Sequence, residues 1–407
     1  MRFRSSHHSM HLPVFSVSLL MLSLFCTAAR ETFGTDRKSY SVVASRPVKV
    51  AQLVGEFDRE LDKPTGNVTM SRYKLVATDL GVSLRHNGRT YLLFGDTDGA
   101  RGGDAIAYVT ESSTTEGIKL NFLQDENGVY QPVFIPGISQ GGFEVPMAGA
   151  SVAGKMYLYH TTDSSQSSLM GRSVVAVSED DGATFNYLYD LSVKHFINVS
   201  IVEMERAAWK GLPHKKGMSL LMLFGSGHYR KSDVRLAYQP ADKIESASSI
   251  CYFQGLDDQG LPGWSCREVD AVPLFDQPCV GELSVTFNRF VGKWIMLYNC
   301  GTERQVINLR TADFPWGPWS DPQVIFDAQR DGGFCRFIHL SREIENCDNL
   351  EDPGRQNESG DPYGPYQFED LATGDKNSTT IYFTMSTWNP YTVVLMKTTL
   401  TLVAGPD

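Results

Sequence analysis

Residues 75–97 read LVATDLGVSLRHNGRTYLLFGDT, and this stretch carries the pattern that decides the fold. Asn87-Gly88 lies between two apolar segments, and this dipeptide favours the two-residue turn of a β-hairpin. Asp79 interrupts the first segment, and Asp96 ends the second. The stretch therefore predicts a hairpin of two strands, with one carboxylate near its start and another at its end.

Similar units recur along the chain, and their second strands repeat about every 65 to 85 residues, a period typical of four-stranded propeller blades. Helical periodicity is nearly absent. We therefore expect an all-β fold, a five-bladed β-propeller over 71–407, with blades near 73–135, 143–195, 203–250, 280–330 and 363–402. The later copies read PMAGASVAGKMYLYHTT (146–162), ERAAWKGLPHKKGMSLLMLFGSG (205–227), GELSVTFNRFVGKWIMLYNCG (281–301) and YQFEDLATGDKNSTTIYFTMSTWNPYTVVLMKTTL (366–400).

Residues 178–185, SEDDGATF, match the S-x-D-x-G-x-T-F pattern known as an Asp box. Ser178 and Asp180 can hydrogen-bond a turn that Gly182 closes, which predicts a structural hairpin on the rim of a propeller. A sialidase usually carries several such boxes. One copy supports the propeller and does not identify the chemistry.

The N-terminus has the pattern of a secretory leader. Arg2 and Arg4 precede an apolar run from Leu12 to Cys26, and small residues follow at Thr27–Ala29. We expect a signal peptide over 1–29, a lead-in segment over 30–70, and a secreted, extracellular product without a membrane anchor after cleavage.

The cysteines and the glycosylation sequons are also typical of a secreted protein. Six cysteines follow the leader, and in an oxidising compartment they are expected to form disulfides, although spacing alone does not fix the connectivity. We expect the local pairs Cys251–Cys266 and Cys335–Cys347, which leave Cys279–Cys300. The chain has four glycosylation sequons, at Asn67, Asn198, Asn357 and Asn377.

The formal net charge of −10 argues against a nucleic-acid partner, because such binding needs clustered Lys and Arg. The sequence has no CxxC pair, the spacing that would indicate a zinc site. We expect a monomer that binds a polysaccharide or oligosaccharide and needs no cofactor or metal.

Carboxylates interrupt the apolar strands of several blades. The first strand of each blade lines the axis of a propeller, so polar residues at the strand starts should converge at one end of the channel. Glycoside hydrolysis needs two such groups, a proton donor and a base or nucleophile. The alternative is that each one caps a turn or pairs with an arginine. The candidates are Asp79, Asp96, Glu144, Glu205 beside Arg206, Glu282 and Glu369.

Other side chains could bind a sugar. His160 and His228 end the second strands of blades two and three, where each could contact a hydroxyl or simply cap the strand. Trp388 could stack on a sugar ring or pack in the core. Arg310 is a further candidate, since with Arg206 and Arg336 it could bind a carboxylate.

Four segments together resemble the domain-of-unknown-function 4185 family: 78–97, 281–298, GPWSDPQVIFD (317–327) and STWNPYTVVLMKTTL (386–400). The resemblance runs from about Tyr73 to Leu400. That family is similar to five-bladed propeller glycoside hydrolases and includes microbial endo-D-arabinanases. The resemblance implies catalytic roles for Asp79, Asp96 and Glu282.

The leading hypothesis is therefore a secreted glycoside hydrolase acting on furanoside-containing glycans such as arabinan. Asp79 would be the base or nucleophile, Glu282 the proton donor, and Asp96 would tune a pKa or orient the substrate. One alternative is a non-catalytic propeller that binds a glycan or an extracellular protein. A sialidase-type enzyme is another, and it would need Arg206, Arg310 and Arg336 to gather around the substrate carboxylate.

Overall fold

The computed structural model describes residues 40–113, 117–165, 170–204, 210–213 and 219–404. Most of these residues lie in five antiparallel sheets of four or five strands, and a two-stranded hairpin lies beside them. The sheets are the blades of a five-bladed propeller, so the predicted fold class is confirmed. The predicted signal peptide lies outside the described residues.

The described chain begins with a lead-in segment, which is followed by blades one and two. The lead-in contains β1 (Tyr40–Ala44), β2 (Val48–Gln52), β3 (Phe57–Asp58), β4 (Lys63–Pro64) and the short helix α1 (Thr69–Tyr73). Blade one contains β5 (Leu75–His86), β6 (Arg89–Gly99), β7 (Ala105–Ser113) and β8 (Gly117–Phe122). Blade two contains β9 (Pro146–Val152), β10 (Lys155–Thr162), β11 (Arg172–Ser178) and β12 (Asn186–Ser192).

The last three blades follow in chain order. Blade three contains β13 (Asn198–Met204), β14 (Leu220–Ser226), β15 (Arg235–Pro240), β16 (Cys251–Leu256) and β17 (Pro262–Ser265), with 3-10 turns at Ala241–Lys243, Ala247–Ser249 and Glu268–Asp270. Blade four contains β18 (Val280–Asn288), β19 (Lys293–Cys300), β20 (Glu303–Ala312) and β21 (Gln323–Asp327). Blade five contains β22 (Pro362–Gly374), β23 (Ser378–Trp388) and β24 (Tyr391–Ala404).

Blade five is completed by the start of the described chain. Strand β1 pairs antiparallel with β24, from Tyr40 opposite Ala404 to Ala44 opposite Leu400, and β2 pairs with an earlier part of β24. The first strands of the five blades contact one another around the axis, β5 with β9, β9 with β13, β13 with β18, β18 with β22 and β22 with β5. The lead-in therefore closes the ring.

The second strands are apolar on both faces because each lies between two neighbouring blades. All seven residues of β14, LLMLFGS, are buried, and in β6 the run from Tyr91 to Phe94 is buried as well. A strand covered on both sides reads as a continuous apolar run instead of an alternating one. At the hairpin between β5 and β6, Asn87 (φ 44°) and Gly88 (φ 78°) both adopt the left-handed conformation that a type I′ turn requires.

The Asp box forms the predicted structural turn. Ser178 Oγ donates a hydrogen bond to Asp180 Oδ1 over 2.8 Å, and the Thr184 hydroxyl donates to Asp180 Oδ2 over 2.6 Å. Blade three differs from the prediction, because its first strand is Asn198–Met204 and ends before Glu205. Residues 205–209 lie outside the described ranges, so Glu205, Arg206 and Trp209 have no structural description.

Two of the four predicted glycosylation sites are wrong. Asn67 and Asn198 are buried, and the Asn67 amide donates hydrogen bonds to Leu53 O (3.0 Å) and Ile118 O (3.1 Å), which leaves no space for a glycan. Asn357 and Asn377 are exposed and remain predicted sites.

Two of the three expected disulfides are present, Cys279–Cys300 and Cys335–Cys347. The expected Cys251–Cys266 bridge is not formed, and both residues are free thiols. They flank the paired residues Tyr252 and Ser265 on adjacent strands. Among the described residues, no helix has the length and apolar character that crossing a bilayer requires.

Candidate active site

A cavity of about 550 Å³ opens at the end of the central channel where the first strands of the blades begin. Asp79 lies near the start of β5, Glu282 near the start of β18 and Tyr363 near the start of β22. The arrangement follows from the propeller, because its inner strands converge on the axis. The acidic lining residues are Asp79, Asp96, Glu282, Glu358 and Asp361, and the large aromatic ones are Phe143, Tyr229, Tyr363, Trp388 and Tyr391.

Asp79 is 7 % exposed, and its two oxygens have different surroundings. Tyr363 donates its hydroxyl to Oδ2 over 2.8 Å, whereas Oδ1 is buried without a hydrogen-bond partner among the described residues. Burial, followed by repulsion from Asp96, raises the pKa of Asp79 well above its ordinary value. The protonated form of Asp79 is therefore favoured.

Asp96 comes from the adjacent strand and is closely apposed to Asp79. Gly95 faces Asp79 across the β5–β6 pair, and a Cβ at Gly95 would lie only 2.9 Å from Asp79 Oδ1, so glycine permits the close approach. Both carboxylate oxygens of Asp96 accept the Phe143 backbone N–H over 3.1 Å. Burial and then repulsion from Asp104 raise the pKa of Asp96 to about 6.

Glu282 is buried and forms an ion pair on the opposite side of the channel. Its Oε1 accepts Arg230 Nη2 over 3.0 Å, while Oε2 accepts Arg230 Nε over 3.1 Å and Asn299 Nδ2 over 2.8 Å. Burial acts to raise the pKa of Glu282, but the Arg230 charge and these hydrogen bonds outweigh it, and the pKa is lowered. Glu282 is therefore held ionised.

One wall of the cavity is aromatic. Trp388 is partly exposed, the Arg355 guanidinium lies 3.9 Å from the centroid of its ring, and Tyr391 contacts it edge-on with centroids 6.2 Å apart. The Tyr391 hydroxyl donates to the backbone oxygen of Asp96 over 3.1 Å. The wall thus adjoins the paired carboxyl groups.

The comparison with protein families agrees with the sequence resemblance. Residues 65–397 match the family described as Domain of unknown function (DUF4185). The chain belongs to this family. No curated protein matches it.

Solved structures share the fold at low identity. A candidate hydrolase from Bacteroides ovatus ATCC 8483 is 11% identical, covers 81% of this chain and 87% of its own, and has a TM-score of 0.52. A GH43_1 enzyme from Xanthomonas citri is 12% identical over 81% of this chain and 88% of its own, with a TM-score of 0.41. The catalytic domain of a GH62 α-L-arabinofuranosidase from Coprinopsis cinerea is 12% identical over 88% and 98%, with a TM-score of 0.42. At such identities the likeness concerns the fold alone.

In this DUF4185 member, two residues expected to bind substrate lie behind the cavity wall. Glu144 is buried, and its oxygens accept the Ser139 hydroxyl over 2.9 Å and the Ser164 N–H over 2.7 Å. His160 is 1 % exposed and contacts Asp104. Neither lines the cavity, so the expected substrate contacts of Glu144 and His160 are not supported.

Three more candidate residues, His228, Arg310 and Glu369, also lie outside the lining of this cavity. His228 is exposed beside the cavity-lining Tyr229, but is not itself part of the lining. Arg310 is buried within blade four, where it donates to Gln277 Oε1 over 2.6 Å and lies 4.2 Å from the Phe275 ring centroid. Glu369 lines a second cavity, at the opposite end of the channel. It lies on β22 just after the buried first seven residues of that strand, and is therefore far from the strand start.

Two of the three arginines of the sialidase hypothesis, Arg310 and Arg336, lie away from the cavity, and Arg206 is outside the described residues. Arg310 is enclosed in blade four, and Arg336 pairs with Glu60 near the lead-in over 2.6 Å. Neither lines the cavity.

Sequence reasoning missed the partners of the carboxylates. Tyr363 donates to the Asp79 carboxylate, Arg230 pairs with the Glu282 carboxylate, and Tyr391 donates to the backbone oxygen of Asp96. Each of the three belongs to a different part of the chain from the residue it contacts. Tyr363 is near the start of β22 and Tyr391 is the first residue of β24, so both lie at the same end of the blade-five sheet.

A second group of polar residues lies in the 331–362 insertion. His339, Asp348 and Glu351 bring possible metal ligands within 4.8 Å of one another. However, His339 Nδ1 is 2.6 Å from Asp348 Oδ1 and Nε2 is 2.8 Å from Gln356 O, so both ring nitrogens already have protein partners. These contacts support a structural role for the group.

Proposed function

We propose that this protein is a secreted glycoside hydrolase that acts on furanoside-containing glycans such as arabinan. The observation that carries the proposal is the pair of blade-one aspartates in one cavity, where the pKa of Asp79 is raised well above its ordinary value and that of Asp96 is raised to about 6. Carboxyl groups whose environments push their pKa values apart can divide the acid and base roles of glycoside cleavage. The DUF4185 resemblance implies the furanoside substrate.

Asp79 is the proton donor in this proposal. Burial raises the pKa of its carboxyl group and so favours the protonated form, which gives its proton to the oxygen of the leaving sugar. Asp96 is the base, since its lower pKa leaves it ionised above about pH 6. It removes a proton from the water that attacks the anomeric carbon, or attacks that carbon directly if configuration is retained.

Glu282 has a different role from the one expected from sequence. Proton donation requires a raised pKa, and the Arg230 ion pair lowers that of Glu282. We assign it to hydrogen bonding with substrate hydroxyl groups at the cavity surface. The aromatic wall around Trp388 suits the apolar face of a sugar ring, as expected for an uncharged glycan.

The test is incubation of the full-length secreted protein with arabinans, arabinogalactan and xylan, followed by detection of released sugars. Asp79→Asn and Asp96→Asn should abolish release, whereas Glu369→Gln, at the far end of the channel, should retain it. Binding of a glycan by the wild type without any release would support the non-catalytic propeller instead. No release and no binding across the panel would contradict both functions.

The anomeric form of the first product distinguishes the two versions of the Asp96 role. Proton NMR of a fresh digest should detect an inverted product if Asp96 activates water, and a retained product if it forms a covalent intermediate. A product of mixed configuration at the earliest times would contradict both.

A further inference from the structure

Asp96 adopts a backbone conformation that needs external support. Its φ of 40° lies in the left-handed region, which is uncommon for residues other than glycine. Its backbone N–H donates to Asp104 Oδ1 over 3.0 Å, and its side chain accepts the Phe143 N–H. Two contacts from outside its own strand therefore fix both the main chain and the carboxylate.

Asp104 is itself held by His160. Both are buried, and Asp104 Oδ2 is 2.8 Å from His160 Nε2. His160 Nδ1 is 2.6 Å from Thr161 O, so both ring nitrogens face oxygen acceptors. His160 is therefore held between the Asp104 carboxylate and the Thr161 backbone oxygen.

The same segment fixes the second support of Asp96. The Thr161 hydroxyl accepts the Val145 N–H over 2.8 Å, and the Thr161 N–H donates to Val145 O over 3.0 Å. These bonds hold residues 143–145, and the Phe143 N–H contacts the Asp96 carboxylate. The His160-Thr161 segment thus supports Asp96 in two ways, through Asp104 and through the 143–145 segment.

We propose that Asp104 and His160 form a buried positioning pair that holds Asp96 in its reactive orientation and sets its charge state. The functional meaning of this pair rests on the proposed role of Asp96 as base. Its effect on Asp96 itself does not require turnover and can be measured without a substrate.

The two members of the pair act on Asp96 with opposite sign. The charge of Asp104 raises the pKa of Asp96, and that of His160 lowers it. Asp104→Asn keeps an oxygen for the Asp96 N–H while it removes the like charge, so the pKa of Asp96 should fall by about one unit. His160→Gln keeps a donor for Asp104 but removes the lowering effect of His160 on Asp96, so the pKa of Asp96 should rise. The groups that face Asp96 are Asp79, Asp104, Glu144, His160 and Tyr391.

The experiment is a carboxyl-carbon NMR titration of full-length protein labelled at aspartate, with the Asp96 signal assigned by its loss in Asp96→Asn. His86→Gln is the matched control, because His86 is another buried histidine that contacts an aspartate, Asp181, over 2.8 Å. We expect a downward shift in Asp104→Asn, an upward shift in His160→Gln and no shift in His86→Gln. In assays of hydrolysis, the acidic limb of the pH profile should move in the same two directions.

An unchanged Asp96 titration in both variants would overturn the proposal, as would an equal shift in His86→Gln. If Asp104→Asn does not fold, the upward shift in His160→Gln decides the matter alone. Opposite shifts in a wild-type protein that hydrolyses no glycan would uphold the positioning pair and contradict the proposed function.

Discussion

The two ends of the central channel use polar residues differently. At the catalytic end proposed here, Asp79 Oδ1 is buried and has no hydrogen-bond partner within the described part of the chain, and the pKa values of Asp79 and Asp96 are raised. At the other end, a cavity of about 430 Å³ is lined by hydroxyl groups that bridge neighbouring blades. Ser284 Oγ donates to Pro365 O and Ser83 Oγ donates to Gln367 O, each over 2.6 Å.

The carboxyl groups at one end are suited to catalysis, whereas the hydroxyl groups at the other end hold neighbouring blades together. Burial of a carboxyl group without full hydrogen bonding is unfavourable, and it persists where function requires a shifted pKa. A hydroxyl that bonds an adjacent strand has no such cost and instead connects the inner strands. The inner strands β5 and β18 therefore contribute a carboxylate near their starts and a hydroxyl bond to a neighbouring blade farther along.

The largest expected effect concerns the buried ion pair at the catalytic end. Arg230→Met removes the cation beside Glu282, and the free energy of unfolding should fall by about 3–5 kcal/mol because a buried charge is left unpaired. Urea denaturation at pH 7 measures this loss. The Glu282 pKa is lowered by Arg230, so the pair stabilises the fold above the ordinary carboxyl pKa, and the loss should shrink as pH falls.

The matched control for that prediction is the pair Arg85–Asp370 at the other end, whose side chains are 59% and 38% exposed. Arg85→Met should cost less than about 1 kcal/mol, since solvent screens the pair. Equal losses in the two variants would contradict the contrast between the ends.

Replacement of Asp79 should separate activity from stability. Asp79→Asn removes the proposed proton donor, and kcat should fall by at least about 10²-fold. Because burial raises the pKa of Asp79, its ionisation destabilises the fold as pH rises, so the variant should have an equal or higher Tm at pH 7. Undiminished kcat with a normal Tm would move the donor role to another residue.

The pH profile should have an acidic limb near pH 6. Asp96 must be ionised to act as base, and its pKa is about 6, so kcat/KM should fall about tenfold per pH unit below that value. Activity should fall again at higher pH as Asp79 loses its proton. Initial rates from pH 4 to 9 on the most active substrate test this, and a profile flat from pH 4 to 7 would exclude Asp96 as the base.

Sequence alone predicted the propeller because its second strands are continuous apolar runs with strong turn signals. It also identified Asp79, Asp96, Glu282 and Trp388, all of which line one cavity. These positions follow from strand starts and strand ends, which the blade pattern reveals.

What the sequence did not reveal depends on contacts between distant segments. Arg230 follows β14, yet it neutralises Glu282 on β18 and thereby changes the role that fits this glutamate. Asn67 matches a sequon, but its amide bonds Leu53 and Ile118 within the fold. The spacing of a motif does not reveal whether a side chain is buried or which residue it contacts.

The smallest expected effect belongs to the hydroxyl end and completes the contrast. Ser284 lies two residues after Glu282 on the same inner strand, and besides its bond to Pro365 O it accepts the Gln367 N–H over 3.2 Å. Ser284→Ala removes these two bonds and a longer one of 3.4 Å from Gln367 Nε2, all between blades four and five, and the free energy of unfolding should fall by about 1–2 kcal/mol. Its kcat should stay within about twofold of wild type, because no step of the proposed reaction needs this hydroxyl and a rate change below twofold corresponds to less than about 0.4 kcal/mol. Urea denaturation and initial-rate assays on the same preparation measure both quantities. A large loss of activity with unchanged stability would mean that reactivity extends along the whole channel, and the division between its two ends would fail.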